Sequence, residues 1–143
     1  MKKKFLLFGI VGLLVATGFG YAGDSALLKI FSKGWPDFIT SSQIKYSTIS
    51  GNTSGDNTVV AAVTGKKIRV LSLYVITTDA ATVAFESGAS GTALTGDVPC
   101  AANGGFVLPF NSGGWFETAA SALLNMELNA VSQTSGALSY IEV

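Results

Sequence analysis

Leu123-Leu124-Asn125-Met126-Glu127-Leu128-Asn129-Ala130-Val131 is the stretch on which the fold turns. Leu124, Met126, Leu128 and Ala130 fall on one side of an extended chain, and Asn125, Glu127 and Asn129 on the other. That is a period of two, the mark of a β-strand with one face in a core and one in water. The segment Thr82–Glu86 repeats the pattern, with Val83 and Phe85 set against Thr82, Ala84 and Glu86.

Working outward, turn chemistry recurs at short intervals. It appears at Gly51-Asn52, Ser54-Gly55-Asp56-Asn57, Thr64-Gly65-Lys66, Ser87-Gly88, Asn103-Gly104-Gly105, Asn111-Ser112-Gly113-Gly114 and Ser135-Gly136. Between these turns lie short runs of Val, Ile, Thr, Phe and Tyr, which predict strands over 58–63, 67–77, 82–86, 92–95, 106–110, 115–118, 123–131 and 137–142. Many short strands with frequent glycine turns argue for an all-β sandwich or barrel over residues 51–143. The run Val70-Leu71-Ser72-Leu73-Tyr74-Val75-Ile76 is apolar on both faces. Such a strand has a second apolar surface to cover, with the linker or with another subunit, and Leu71, Leu73 and Val75 are the candidates for subunit contact.

The motifs of this half come in a set order. Ala62-Val63-Thr64-Gly65-Lys66-Lys67-Ile68-Arg69-Val70 is followed by Ala101-Ala102-Asn103-Gly104-Gly105-Phe106-Val107-Leu108-Pro109-Phe110. Gly114-Trp115-Phe116, Leu124-Asn125-Met126-Glu127-Leu128-Asn129 and Leu138-Ser139-Tyr140-Ile141-Glu142-Val143 complete the series. Over residues 51–143 this resembles the small jelly-roll-like domains of phage virion proteins, of the head-decoration or tail-associated kind. The resemblance implies a single jelly-roll-like β-sandwich, a structural role in a bacteriophage virion, and partners among other virion or capsid proteins.

The N-terminal half is unlike this. Lys2, Lys3 and Lys4 precede an uncharged run from Phe5 to Gly23. As a helix that run spans roughly 28 Å, close to a bilayer core. Two readings of residues 1–23 follow. One is a transmembrane helix, in which Gly12, Ala16 and Gly20 recur every four residues and offer a small-residue face for helix contact. The other is a secretory signal peptide with a small-residue cleavage site at Gly20-Tyr21-Ala22. In either case Lys2–Lys4 stay on the cytoplasmic side and the β-domain lies across the membrane. Residues 5–22 are then the part in contact with lipid. Such a segment departs from the decoration-protein pattern and points to a membrane-containing virion, or to a cellular surface protein sharing the domain.

Residues 24–50 read as an amphipathic helix and linker. Leu27, Leu28, Ile30 and Phe31 supply an apolar side and Lys29 and Lys33 a basic one, with Trp35 and Pro36 after Gly34. Ile44, Tyr46 and Thr48 alternate enough for a possible strand.

Composition narrows the function. Hydrophobic residues make up 48% and charged residues 13%, and there is no histidine. A Ser–His–Asp triad or a His-activated Cys100 therefore cannot be built, and the commonest metal ligand is missing. The seven acids of residues 51–143 show no paired spacing for general acid–base work. The loop Asn52–Asn57 carries oxygen ligands but no closing bidentate acid, and reads as an Asx-rich turn rather than a calcium loop. No cofactor or metal is expected, and the chain reads as a non-enzyme.

Residues 1–50 carry six basic and two acidic groups, net +4. Residues 51–143 carry three basic (Lys66, Lys67, Arg69) and seven acidic, net −4. An acidic β-domain is a poor match to nucleic acid, and the short basic cluster reads as a solvated strand end. The expectation is a membrane-anchored virion structural protein that assembles with itself, as a homotrimer through cyclic symmetry. The alternative is an exported bacterial surface β-sandwich, periplasmic or at the cell surface, that binds a glycan through aromatic side chains near Trp115 or builds a filament. Against the glycan role, Phe106, Leu108 and Phe110 alternate as an inward, core-packing face would.

Overall fold

A computed structural model describes residues 43–143. Residues 1–23, with Gly12, Ala16 and Gly20, and the amphipathic stretch up to residue 42 lie outside the described residues. What is described is all-β: two antiparallel five-stranded sheets and no α-helix.

In chain order the strands are β1 (Lys45–Gly51), β2 (Gly55–Val60), β3 (Ile68–Thr77), β4 (Ala81–Ser87), β5 (Thr92–Ala93), β6 (Val98–Cys100), β7 (Gly105–Leu108), β8 (Phe116–Glu117), β9 (Leu124–Leu128) and β10 (Thr134–Glu142). One sheet runs β1-β10-β3-β7, with β8 also on β3. The other runs β2-β9-β4-β5, with β6 also on β4. The pairing is nested: β1 with β10, β2 with β9, β3 with β7 and β8, β4 with β5 and β6.

The alternation read in the sequence decides which side chains meet. Leu124, Met126 and Leu128 of β9 and Val83 and Phe85 of β4 face inward and are almost wholly buried. They meet Val70, Leu73 and Val75 of β3, Ile49 of β1 and Leu138 of β10 from the opposite sheet. Phe85 stacks on Phe116 across the core with ring centroids 5.5 Å apart. A sandwich-like core of this kind is what period-two strands build when each sheet hides one face.

Several details depart from the sequence reading. The possible strand at 44–48 forms as β1, and it pairs along its whole length with β10 (Lys45 opposite Tyr140, Gly51 opposite Thr134). Strand β6 was not anticipated, because Pro99 breaks the usual strand composition. It sits at the sheet edge, where Pro99 opposite Thr82 need donate no ladder hydrogen bond. Strand β7 stops at Leu108 because Pro109 ends it, so Phe110 leaves the inward series and is 58% exposed. Cys100 is buried, and burial pushes its thiol pKa up, away from reactivity.

The proposed subunit contacts Leu71, Leu73 and Val75 are 0%, 3% and 1% exposed. Leu73 and Val75 belong to the core, and Leu71 is buried where the β3–β10 register shifts at Ser139/Tyr140. None of the three is accessible to a second chain. The outward positions of this strand are instead Ser72, Tyr74 and Ile76.

Candidate functional site

The two outer faces of the sandwich have opposite chemistry. On the sheet that contains β3, the register sets three uncharged outward rows, and beyond the Ser139/Tyr140 shift a fourth that crosses Ile141, Arg69 and Glu117 and carries an ion pair. The first crosses Tyr46, Ser139 and Ser72. The second crosses Thr48, Ala137, Tyr74 and Val107, and the third Ser50, Ser135, Ile76 and Gly105. No position in these first three rows is charged. The central strand β10 contributes only small residues, while large exposed side chains stand to either side: Tyr46 (78%), Tyr74 (48%), Ile76 (52%) and Val107 (68%). The result is a shallow groove of about 300 Å³ floored by Ser72, Ala137 and Ser139 and walled by the two tyrosines, Val107 and Pro109. The Ser72 and Ser139 hydroxyls are 2.6 Å apart and share one hydrogen bond, in which one donates and the other keeps its O–H for a further acceptor.

On the opposite sheet the outward rows are acidic. Asp56, Glu127 and Ala84 form one row, and Thr58, Asn125, Glu86 and Ala93 the next. The sequence shows these acids as scattered, yet the sheet brings three of them together. Asn125 is fully buried beneath the β4–β5 turn, and its amide N–H group is shared by Asp56 and Glu86. The Asn125 Oδ1 atom has no hydrogen-bond partner. The turn is closed by Ser90, whose N–H and hydroxyl both donate to the Asp56 carboxylate at 2.8 Å. These two bonds, the backbone one first, hold the Asp56 carboxyl below the usual range. They also offset the cost of Ser90's left-handed backbone (φ 50°). Among the described residues no three His, Cys, Asp or Glu side chains converge as metal ligands would. In the Asn52–Asn57 loop, Asn57 bonds to Thr53 and Gly55, as an Asx-rich turn does.

Glu127 lies next to Glu86, and the contact between the two carboxyls pushes the Glu127 pKa up, with Asp56 and Asp97 adding to it. The sign follows directly. A carboxyl whose folded pKa lies above its unfolded value destabilises the fold when ionised, and stability is regained as pH falls through the folded pKa. Glu127→Gln is therefore expected to raise the melting temperature at pH 7. The gap should close by about pH 4, where carboxyls are largely protonated. Thermal melts across that range check it; a variant no more stable than its parent at pH 7 shows that the two carboxylates do not repel each other.

The third feature is the Lys67–Arg69–Glu117 cluster beside the β8 strand. Glu117 accepts from Lys67 Nζ at 2.8 Å and from Arg69 Nε at 2.9 Å, with Arg69 Nη2 at 2.8 Å. Lys67 first and Arg69 second hold the Glu117 carboxyl below its usual range. Two of the three cations of the basic cluster are thus paired within the chain. Gly114, at φ 82°, passes so close to Arg69 that a Cβ there would meet its Cγ at 2.5 Å. This contact shapes a second shallow hollow of about 280 Å³ against Arg69, Trp115 and Glu117. Trp115 is 45% exposed, with its indole N–H fixed on the Pro109 carbonyl at 2.7 Å. Trp115 and Phe110 are therefore surface rings, and Phe110 does not take the core position that alternation suggests.

Among the described residues no helix is long and apolar enough to cross a membrane. No protein-family model matches the chain, and no curated protein matches it in sequence.

Proposed function

We propose that this chain is a non-enzymatic structural protein of a phage virion, with its N-terminus anchored in a membrane and its β-domain in contact with sister subunits or capsid proteins. The observation that carries this reading is the nested strand order, β1-β10-β3-β7/β8 facing β2-β9-β4-β5/β6. It supports a jelly roll, a double Greek-key sandwich used widely in viral capsid domains. The uncharged outer face of the β3 sheet adds to it, since a surface depleted of charge and carrying tyrosines has the composition of a protein interface. On this reading the protein acts mechanically. Residues 5–22 hold lipid, with Gly12, Ala16 and Gly20 at a helix contact. The residues from 24 up to β1 space the domain from the membrane, and the domain assembles as a homotrimer. Neither nucleic acid nor a cofactor takes part.

Mass spectrometry of density-banded virus particles tests the proposal. The expected result is this chain as a stoichiometric constituent at 14.7 kDa, released by detergent and not by salt. A shorter form, lacking residues 1–22 and found free of particles, overturns it.

One observation favours a second reading. The exposed, fixed Trp115 and the exposed Phe110 suit an exported β-sandwich that stacks these rings on sugars. In that case a glycan array would return binders that Trp115→Ala abolishes.

A further inference from the structure

We propose that the uncharged outer face of the β3 sheet is the surface through which one copy of this chain meets the next. The proposal rests on the homo-oligomer part of the reading above and moves the contact from Leu73 and Val75 to Tyr46, Tyr74, Ile76 and Val107. Three observations select a second copy as the occupant.

The first is charge. Residues 51–143 carry a net −4, and the opposite outer face presents Asp56 and Glu127, with the buried Glu86 beside them. Two such domains repel across that face and meet without repulsion across the neutral one. A basic or acidic partner would find no charge in the three neutral rows to pair with, and the nearest charges, Arg69 and Glu117, already pair with each other. The second is relief. Small residues on β10 lie between tall ones on β1, β3 and β7, so the same face carries both the ridges and the channel that would receive them. A surface that is its own complement is what association between identical chains requires.

The third is area. Four strands about 4.8 Å apart and three rows about 6.8 Å apart give a face on the order of 400 Å². That lies within the range of functional patches on single chains, but is about half of what each partner contributes to a standard stable interface. The contact is therefore weak as an isolated pair. It gains strength when copies are held close together, as anchoring in one membrane would do. A weak contact calls for a trapping measurement.

The experiment uses the full chain in mild detergent with a photoreactive p-benzoylphenylalanine at Tyr46, at Val107, or at Thr58 on the acidic face. Irradiation is expected to give covalent homodimer from positions 46 and 107, at least five-fold more than from position 58. Adding Val107→Lys to the Tyr46 probe should cut the yield at least five-fold, and salt should not reduce it, because no ion pair is involved. Light scattering over a concentration series runs alongside. Oligomers by scattering with no homodimer from positions 46 and 107 overturn this surface and leave the homo-oligomer reading standing. Monomer at every concentration with no crosslink from any position overturns both. A crosslink from positions 46 and 107 to a different protein, and not to a second copy, also overturns the proposal.

Discussion

Replacing Phe85 with alanine is expected to lower the unfolding free energy by about 3–5 kcal/mol, the range for deleting a buried aromatic ring. Phe85 is 1% exposed, sits in the middle of β4, and stacks on Phe116. Its main chain is fixed as well: its N–H donates to the Thr95 hydroxyl at 2.9 Å and its carbonyl accepts from Leu94 at 2.8 Å. The neighbours therefore cannot collapse readily into the space left by the ring, which places the cost in the upper part of the range. For a domain of about 100 residues the melting temperature should fall by on the order of 15 °C or more. Urea unfolding checks it, with the midpoint lowered and the slope unchanged. Phe116→Ala serves as the comparison. Phe116 is only half-buried and packs at the margin of the core, so its loss should cost clearly less. A cost below about 1 kcal/mol for Phe85→Ala would mean that the two sheets are not packed on this ring.

The second large effect comes from adding a single methyl group. Gly136 lies in β10, between β1 and β3, opposite Val75. A Cβ there would stand 2.0 Å from the Tyr74 carbonyl oxygen and 3.2 Å from the Val75 Cα. Both are backbone atoms of a paired strand, so no side chain can swing aside. Gly136→Ala should force β10 off β3 at a cost of about 3 kcal/mol, the upper part of the usual overpacking range. Gly105 makes the argument sharper. Its Cβ would approach the Val75 carbonyl oxygen equally closely, at 1.9 Å, but it sits on the edge strand β7. An edge strand has no neighbour beyond it and can shift outward, so Gly105→Ala should be clearly milder. Equal costs at the two sites would show that strand position does not govern the response.

Much of the fold was legible because period two is a local property. The alternation of Leu124, Met126 and Leu128, and of Val83 and Phe85, identified core side chains that the sandwich does bury. Several glycine turns, such as Thr64-Gly65-Lys66 and Asn111–Gly114, marked connections for the same reason, but Ser135-Gly136 lies inside β10 and Gly55–Asn57 opens β2. Where prolines interrupt the pattern, local reading went astray. Pro99 concealed β6, and Pro109 turned Phe110 outward from a series that alternation alone would have kept inside.

The surfaces were not legible, because they are made of register. Nothing local says that Asp56, Glu86 and Glu127 become neighbours, or that Tyr46 and Tyr74 flank the same two small residues of β10, Ala137 and Ser139. Those facts depend on which strand pairs with which, and on pairings that reach from residue 45 to residue 140. The two-faced apolar strand at 70–76 shows the division most clearly. Its composition correctly implied a second apolar surface. Only the pairing of β3 with β10, shifted at Ser139/Tyr140, decided that Leu73 and Val75 enter the core and Leu71 is buried at the shift while Tyr74 and Ile76 remain outside. By itself the sequence determined that the described part is all-β, its approximate strands, and the absence of histidine chemistry, since these follow from composition and spacing along the chain. The tertiary structure decided which side chains share a face, because a sheet's surface is assembled across strands that are distant in sequence and a one-residue change of register exchanges inside for outside.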